Sequence, residues 1–152
     1  MSELRAEPLA AVPRVSVPVE STWDAESVFP SPDAWGAELE ALLADLPSLA
    51  RYAGRLGESP TVLKEALAAR EAISARAGRV GVYAYLGYAV ETTNPDAVAR
   101  LGRALSVRGA VAAALSFYSP EIVAVGEERL RAWLAEDRRL ASRVLVTAVA
   151  DE

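Results

Sequence analysis

The sequence contains no cysteine and no histidine among its 152 residues. Without cysteine there can be no disulfide, no thiolate metal site and no thiol nucleophile. Without histidine the imidazole routes close too: Ser-His triads, histidine-ligated zinc hydrolases and most general-base chemistry near neutral pH. A catalyst built from this chain has to use carboxylates, tyrosines, arginines and a single lysine, Lys64. A self-sufficient enzyme is therefore disfavoured. Lysine is otherwise missing, since the other fifteen of the sixteen basic residues are arginine, a skew that reflects genome composition. Acidic residues outnumber basic ones by 21 to 16, a net charge of −5, so a nucleic-acid backbone is not a fitting partner. No segment approaches the ~20 consecutive apolar residues that span a bilayer. Residues 1–20 hold no unbroken apolar stretch of signal-peptide length. The expectation is no membrane partner and a cytoplasmic location.

The composition that is present, 52% hydrophobic with 24% charged, is that of an ordinary globular chain. Its length fits one domain, or a piece of something larger, and is enough to bury roughly two-thirds of the unfolded surface.

The organising stretch runs from Ser59 to Phe117 and reads as two long helices joined at Glu91-Thr92-Thr93-Asn94-Pro95-Asp96. Ser59-Pro60 supplies a side-chain oxygen at the N-cap and a proline where the missing N–H costs nothing. A stripe follows at Val62, Ala66, Ala69, Ile73, Ala77, Val80, Ala84 and Gly87, in steps of three and four. Asn94-Pro95-Asp96 opens the second helix, with an acid at the positive end of its dipole. There the stripe is Val98, Leu101, Leu105, Ala112 and Leu115, and the facing row is Ala104, Val107, Val111 and Tyr118. Small residues on both helices allow close approach, so the pair reads as an antiparallel helical hairpin. The fold class is all-α, with flanking helices making a bundle-like lobe.

Three regions follow. Residues 1–20, with Pro8, Pro13 and Pro18, read as a flexible lead-in; residues 21–143 as the helical lobe; residues 144–152, rich in valine, as a divergent tail. Within the lobe, Trp23 and Phe29 look like an anchor that packs onto the helices. Ser31-Pro32-Asp33 caps a helix with an apolar stripe at Trp35, Leu39, Leu42 or Leu43, and Leu46. Pro47 should bend or interrupt that helix and drive Leu46 out of helical geometry. Gly54 and Gly57 close the unit. After the hairpin Ser119-Pro120-Glu121 repeats the cap pattern, and a last helix runs from Glu127-Glu128 through Leu130, Trp133, Leu134 and Leu140.

Residues able to carry chemistry are few. Tyr83, Tyr85 and Tyr88 cluster late in the long helix, either as substrate-cavity contacts or as packing with hydroxyls at the rim. Tyr85 and Tyr88 are helical neighbours, with Tyr83 apart. The acidic pairs Glu38/Glu40, Glu127/Glu128 and Glu136/Asp137 diverge on a helix and read as solvated faces. Glu127 with Arg131 and Asp96 with Arg100 have the acid-first spacing that gives ~0.2–0.5 kcal/mol per pair. Gly78 and Gly81 cost about 1 kcal/mol apiece against alanine, which close helix contact would offset. No metal, catalytic or cofactor-binding set emerges.

An ordered set of short signatures carries a resemblance: Thr22-Trp23-Asp24 through Phe29-Pro30-Ser31, Tyr83-Ala84-Tyr85-Leu86, Glu91 before Thr92-Thr93-Asn94-Pro95, and Ala114-Leu115-Ser116-Phe117 before Pro120-Glu121. From about Glu20 to Leu140 the chain resembles the N-terminal helical region of the oligoendopeptidase F family, relatives of thimet oligopeptidase. The resemblance implies a lobe of a much longer zinc metallopeptidase that cleaves short peptides inside a mostly helical shell. In that family a His-Glu-x-x-His helix far downstream binds the zinc and activates water. No such residue exists here, so zinc is expected only in full-length relatives.

The expected function is that of a non-catalytic lobe, a truncated or frame-shifted form, lining the substrate cavity of such a peptidase. The alternative is a stand-alone helical interaction or oligomerisation module without enzymatic activity. Partners follow: the missing catalytic part or a second copy, with short peptides only in a full-length context. Leu63 and Leu67 lie beside one stripe, Val107 and Val111 beside the other. One partner helix covers one row, so the second must meet another helix or another molecule. Self-association that Val111→Glu weakens is the resulting expectation.

Overall fold

Side-chain oxygens start the three longest helices. The computed structural model describes residues 16–136 and 140. Ser31 accepts from the Ala34 N–H and opens α1 (Pro32–Asp45). Ser59 accepts from the Val62 N–H and opens α2 (Pro60–Val90). Asn94 accepts from the Asp96 and Ala97 N–H groups and opens α3 (Pro95–Leu115). Proline is the first helical residue each time, where no intrahelical donor is needed. Two shorter helices complete the order, α4 (Tyr118–Val125) and α5 (Glu127–Glu136), with 3-10 turns at Val19–Ser21, Ala25–Ser27 and Leu46–Tyr52. There is no strand among the described residues; the fold is all-α. The 144–152 tail and residues 1–15 of the lead-in lie outside the described residues.

The hairpin of α2 and α3 is the spine, and α1 packs across both helices. Trp35 on α1 fixes that crossing: its indole Nε1–H donates to the Val80 carbonyl of α2 at 2.9 Å. One apolar cluster joins Phe29, Trp35, Leu39, Leu42, Leu46 and Leu49 to Ile73, Val80, Tyr83 and Ala84 of α2 and Ala104, Val107 and Val111 of α3. A second cluster surrounds the start of α2: Tyr52, Leu56, Leu63, Ala66, Leu67, Tyr118, Trp133 and Leu140. Tyr118 is only 1% exposed and donates its hydroxyl to the Ala66 carbonyl at 2.9 Å. At Gly126 (φ +86°) the chain turns by 96°, which folds α5 back.

Several expectations are corrected. Pro47 ends the α-helical hydrogen bonding at Asp45, yet Leu46 keeps helical dihedrals. Its chain continues as a 3-10 turn to Tyr52, a geometry that accommodates the missing donor. Ser119 is not a cap. α4 starts at Tyr118, which places Pro120 in the first turn, where its missing N–H still has no helical role. Glu121 instead reaches across the fold and accepts from the Gly54 N–H at 2.6 Å and the Leu56 N–H at 3.3 Å.

The buried row of α3 is Ala97, Ala104, Val107 and Val111, while Val98 and Leu105 of the proposed stripe are 47% and 55% exposed. Leu63 and Leu67 are fully buried; α4, α5 and the Leu46–Tyr52 segment supply the cover. Val111 and its row therefore belong to the core and offer no surface to a second molecule. Gly78 and Gly81 meet no close helix among the described residues either, since a Cβ there would find nothing within 4 Å.

Glu40 lies on a solvated face, with its side chain 68% exposed, whereas Glu38 is half-buried. Two residues apart, they diverge on α1 as helix geometry requires, and each reaches a different hairpin helix. Glu38 bonds Arg76 of α2 at 2.6 Å, and Glu40 bonds Arg103 of α3 at 3.0 Å. Arg76 also holds Asp45 at 2.6 Å, and its hydrogen bonds to Glu38 and then Asp45 raise its pKa.

Candidate functional site

The late turns of α2 contain the sequence Val80-Gly-Val-Tyr-Ala-Tyr-Leu-Gly-Tyr-Ala-Val90, without a charge on any face. Their inner side is well filled. Tyr83 is 9% exposed, meets Phe29 edge-to-face with ring centroids 5.6 Å apart, and stacks on Trp35 at 6.5 Å. Pairs of this kind add ~0.5–1.5 kcal/mol beyond area burial. Arg79 donates to the Val28 carbonyl at 2.8 Å and lies over the Phe29 ring, so the segment before α1 is clamped onto the same place.

Beside Tyr83 a recess of about 90 Å³ opens between Trp23, Ala25, Leu86, Gly87, Val90 and Arg100. Among the described residues Arg100 is its one cation. Its guanidinium lies 5.8 Å from the Tyr83 ring centroid, over Gly87, where a Cβ would stand 3.2 Å from Nη1. Glycine at 87 thus gives the planar group room to settle across α2. The expected Asp96–Arg100 pair does not form, whereas Glu127–Arg131 does, at 2.5 Å. Arg100 has turned inward from the acid, and among the described residues no carboxylate meets it.

Of the tyrosines singled out, only Tyr83 lines the recess. Tyr85 is 59% exposed on the opposite face of α2, and Tyr88 is half-buried outside the recess. Trp23 does not pack like Phe29; it is 65% exposed and forms the recess's outer rim. The Arg100–Gly87 pairing does not follow from helix periodicity. A count was available: in an antiparallel hairpin with its corner near Thr93, residues six before and seven after lie side by side.

The chemistry on offer is binding. Arginine stays protonated and has five donors but no acceptor, so it can hold an anion and cannot act as a base. Apart from Tyr83, whose ring lies against the guanidinium, no other titratable side chain lines the recess among the described residues. Nor do the residues present fit a zinc centre. The chain has no histidine or cysteine, and no group of three or more metal-capable side chains occurs among the described residues. A wider hollow is lined by Lys64, Glu65, Trp133 and Glu136.

The comparisons with known proteins fit the region this fold represents. No family model matches the sequence, and no solved structure matches it. Over 127 residues the chain is 32% identical to Oligopeptidase PepF of Bacillus subtilis (strain 168), a stretch covering 84% of this chain and 19% of that protein. The chain therefore spans less than a fifth of the relative it matches, and what it resembles is one region of an oligopeptidase much longer than itself.

Proposed function

We propose that this chain acts as a non-catalytic lobe of a PepF-like oligopeptidase and forms part of the wall around its peptide cavity. The peptide-cleaving chemistry, zinc included, belongs to other residues of such a protein. One observation carries the reading: α2 from Val80 to Val90 is apolar all round, yet Val82, Tyr85 and Val90 are 51%, 59% and 40% exposed. A helix that is apolar on every face is one that is covered on every face. On α3, Val98 and Leu105 add to the uncovered area. Val82 and Tyr85 adjoin on one face of α2, and adjoining exposed apolar side chains are the kind that mark contact surfaces.

The test is complementation. A PepF-like peptidase expressed without the region corresponding to this chain is mixed with the chain, and hydrolysis of a short peptide is followed. Recovery of hydrolysis that Val82→Asp with Tyr85→Asp abolishes upholds the lobe. A folded remainder that is indifferent to the chain overturns it. Sedimentation as a concentration-dependent dimer through the same two positions would assign the surface to a second copy instead, and would also overturn it.

A further inference from the structure

We infer that the recess at Arg100 is a binding site for a carboxylate carried on an apolar body, such as the free end of a peptide with a bulky last residue or a free aromatic acid. The inference is independent of the lobe reading, because it rests on the recess alone.

Three features combine there. The guanidinium of Arg100 has no acidic partner among the described residues, although Asp96 stands at the spacing that favours a pair. Arg100 is held instead by the Tyr83 ring and by the room above Gly87. A planar fork fixed in this way loses little freedom when it meets a carboxylate, which it can engage with two parallel N–H···O bonds. The remaining walls, Leu86, Val90 and the exposed ring of Trp23, are apolar. They suit a side chain or ring attached to the anion, and would gain little from a bare inorganic ion. About 90 Å³ admits a carboxylate and the start of an apolar group, with the rest lying across Trp23. Aromatic and apolar walls with one placed charge are the usual build of a small-ligand site.

The experiment uses the whole chain, labelled for NMR, and follows the Gly87 amide and Trp23 indole signals. N-acetyl-phenylalanine is titrated against its amide, N-acetyl-phenylalaninamide, which has the same ring and lacks the charge. The acid is expected to shift both signals saturably at millimolar concentration, with the amide about tenfold weaker, the difference one charge-assisted contact makes. Arg100→Gln should reduce the acid to the level of the amide, and Arg100→Lys should retain an intermediate affinity. Acetyl-alanyl-phenylalanine and phenylpropionate then separate the two sources, a peptide end if the former binds more tightly and a free acid if the latter does. Equal binding of acid and amide, undiminished binding to Arg100→Gln, or no saturable shift from any of these acids overturns the site. The acid–amide comparison is made on the unaltered chain, so it stands even if a variant folds poorly.

Discussion

The two ends of α2 differ in how far the described residues cover them. At its start, Leu63, Ala66 and Leu67 are fully buried beneath Tyr52, Leu56, Tyr118, Trp133 and Leu140. Toward its end, the same 31-residue helix is packed on one side by Phe29 and Trp35 and bare on the other, where Val82 and Tyr85 stand in solvent. Near the start, charged Lys64 and Glu65 take the outward positions; near the end no charge is available to do so. One end is a finished core and the other is half of one. That difference gives the chain its functional reading, because an amphipathic helix is complete when its apolar stripe is covered and an all-apolar helix is not.

The sharpest way to break the comparison is to place one charge on each side of α3. Val111→Glu puts a carboxylate at a position 7% exposed, among Ile73, Val80 and Val107. With no partner for that charge, a loss of roughly 4 kcal/mol or more is expected, enough to unfold the chain rather than dissociate an assembly. Leu105→Glu, at 55% exposed, should stay folded. Urea unfolding followed by circular dichroism reads both. A stable Val111→Glu would place the hairpin's inner face elsewhere.

A smaller effect separates the covered start from the bare end. Leu67→Ala leaves a cavity in the second cluster and should cost about 2–5 kcal/mol. Val82→Ala and Leu105→Ala should fall within about 0.5 kcal/mol of the parent. Equal losses at all three positions would mean that the outer face is already covered, as in a self-associated form.

Much of this architecture is legible in the sequence, and the failures have physical causes. Ser31-Pro32, Ser59-Pro60 and Asn94-Pro95 are read correctly because a cap and a proline act within one turn of chain. Ser119-Pro120 has the same letters and a different role, since Phe117 and Tyr118 already continue in helical geometry and proline is tolerated anywhere in a first turn. Which of two apolar rows on α3 faces inward is not legible, because both have the same period. The choice falls to the packing of α1 and α2, whose Trp35, Leu39, Ile73 and Val80 share one buried cluster with Ala104, Val107 and Val111. In the recess, Tyr83 is visible from its neighbours in sequence. The inward turn of Arg100 is not, because a spacing of four from Asp96 favours an ion pair that the tyrosine ring and Gly87 outcompete.

Alkaline titration tests the finished end by a different route. Burial pushes the Tyr118 phenol from 10.0 up to about 12. The folded state therefore favours the un-ionised phenol, and this contribution is fully present below pH 10 and lost as pH rises through about 12. Its full size is roughly 2–3 kcal/mol. Tyr118→Phe should be about 1 kcal/mol less stable at neutral pH, having lost the hydroxyl's bond to Ala66. It should also show a shallower decline across the alkaline window. An unchanged alkaline profile would place the titrating group elsewhere.

The smallest expected effect concerns the glycines of α2, and it sharpens the comparison most finely. Gly78 is exposed within the helix, and an added Cβ there meets nothing within 4 Å. Alanine should relieve the helical cost of glycine and stabilise the monomer by ~0.4–1 kcal/mol, a rise of about 1–4 °C in melting temperature for a chain of this size. Gly87 is the internal control. An added Cβ there would stand 3.2 Å from Arg100 Nη1, so part of any gain is spent moving the guanidinium out of the recess. Gly87→Ala should therefore gain less than Gly78→Ala and should weaken acid binding. If the outer face of α2 is where the lobe meets a larger peptidase, Gly78→Ala should have opposite effects in two assays: a more stable lone chain, and a poorer restorer of hydrolysis in the complementation assay. A lone chain destabilised by Gly78→Ala, with a loss that grows with protein concentration, would show that a second copy already occupies the bare face.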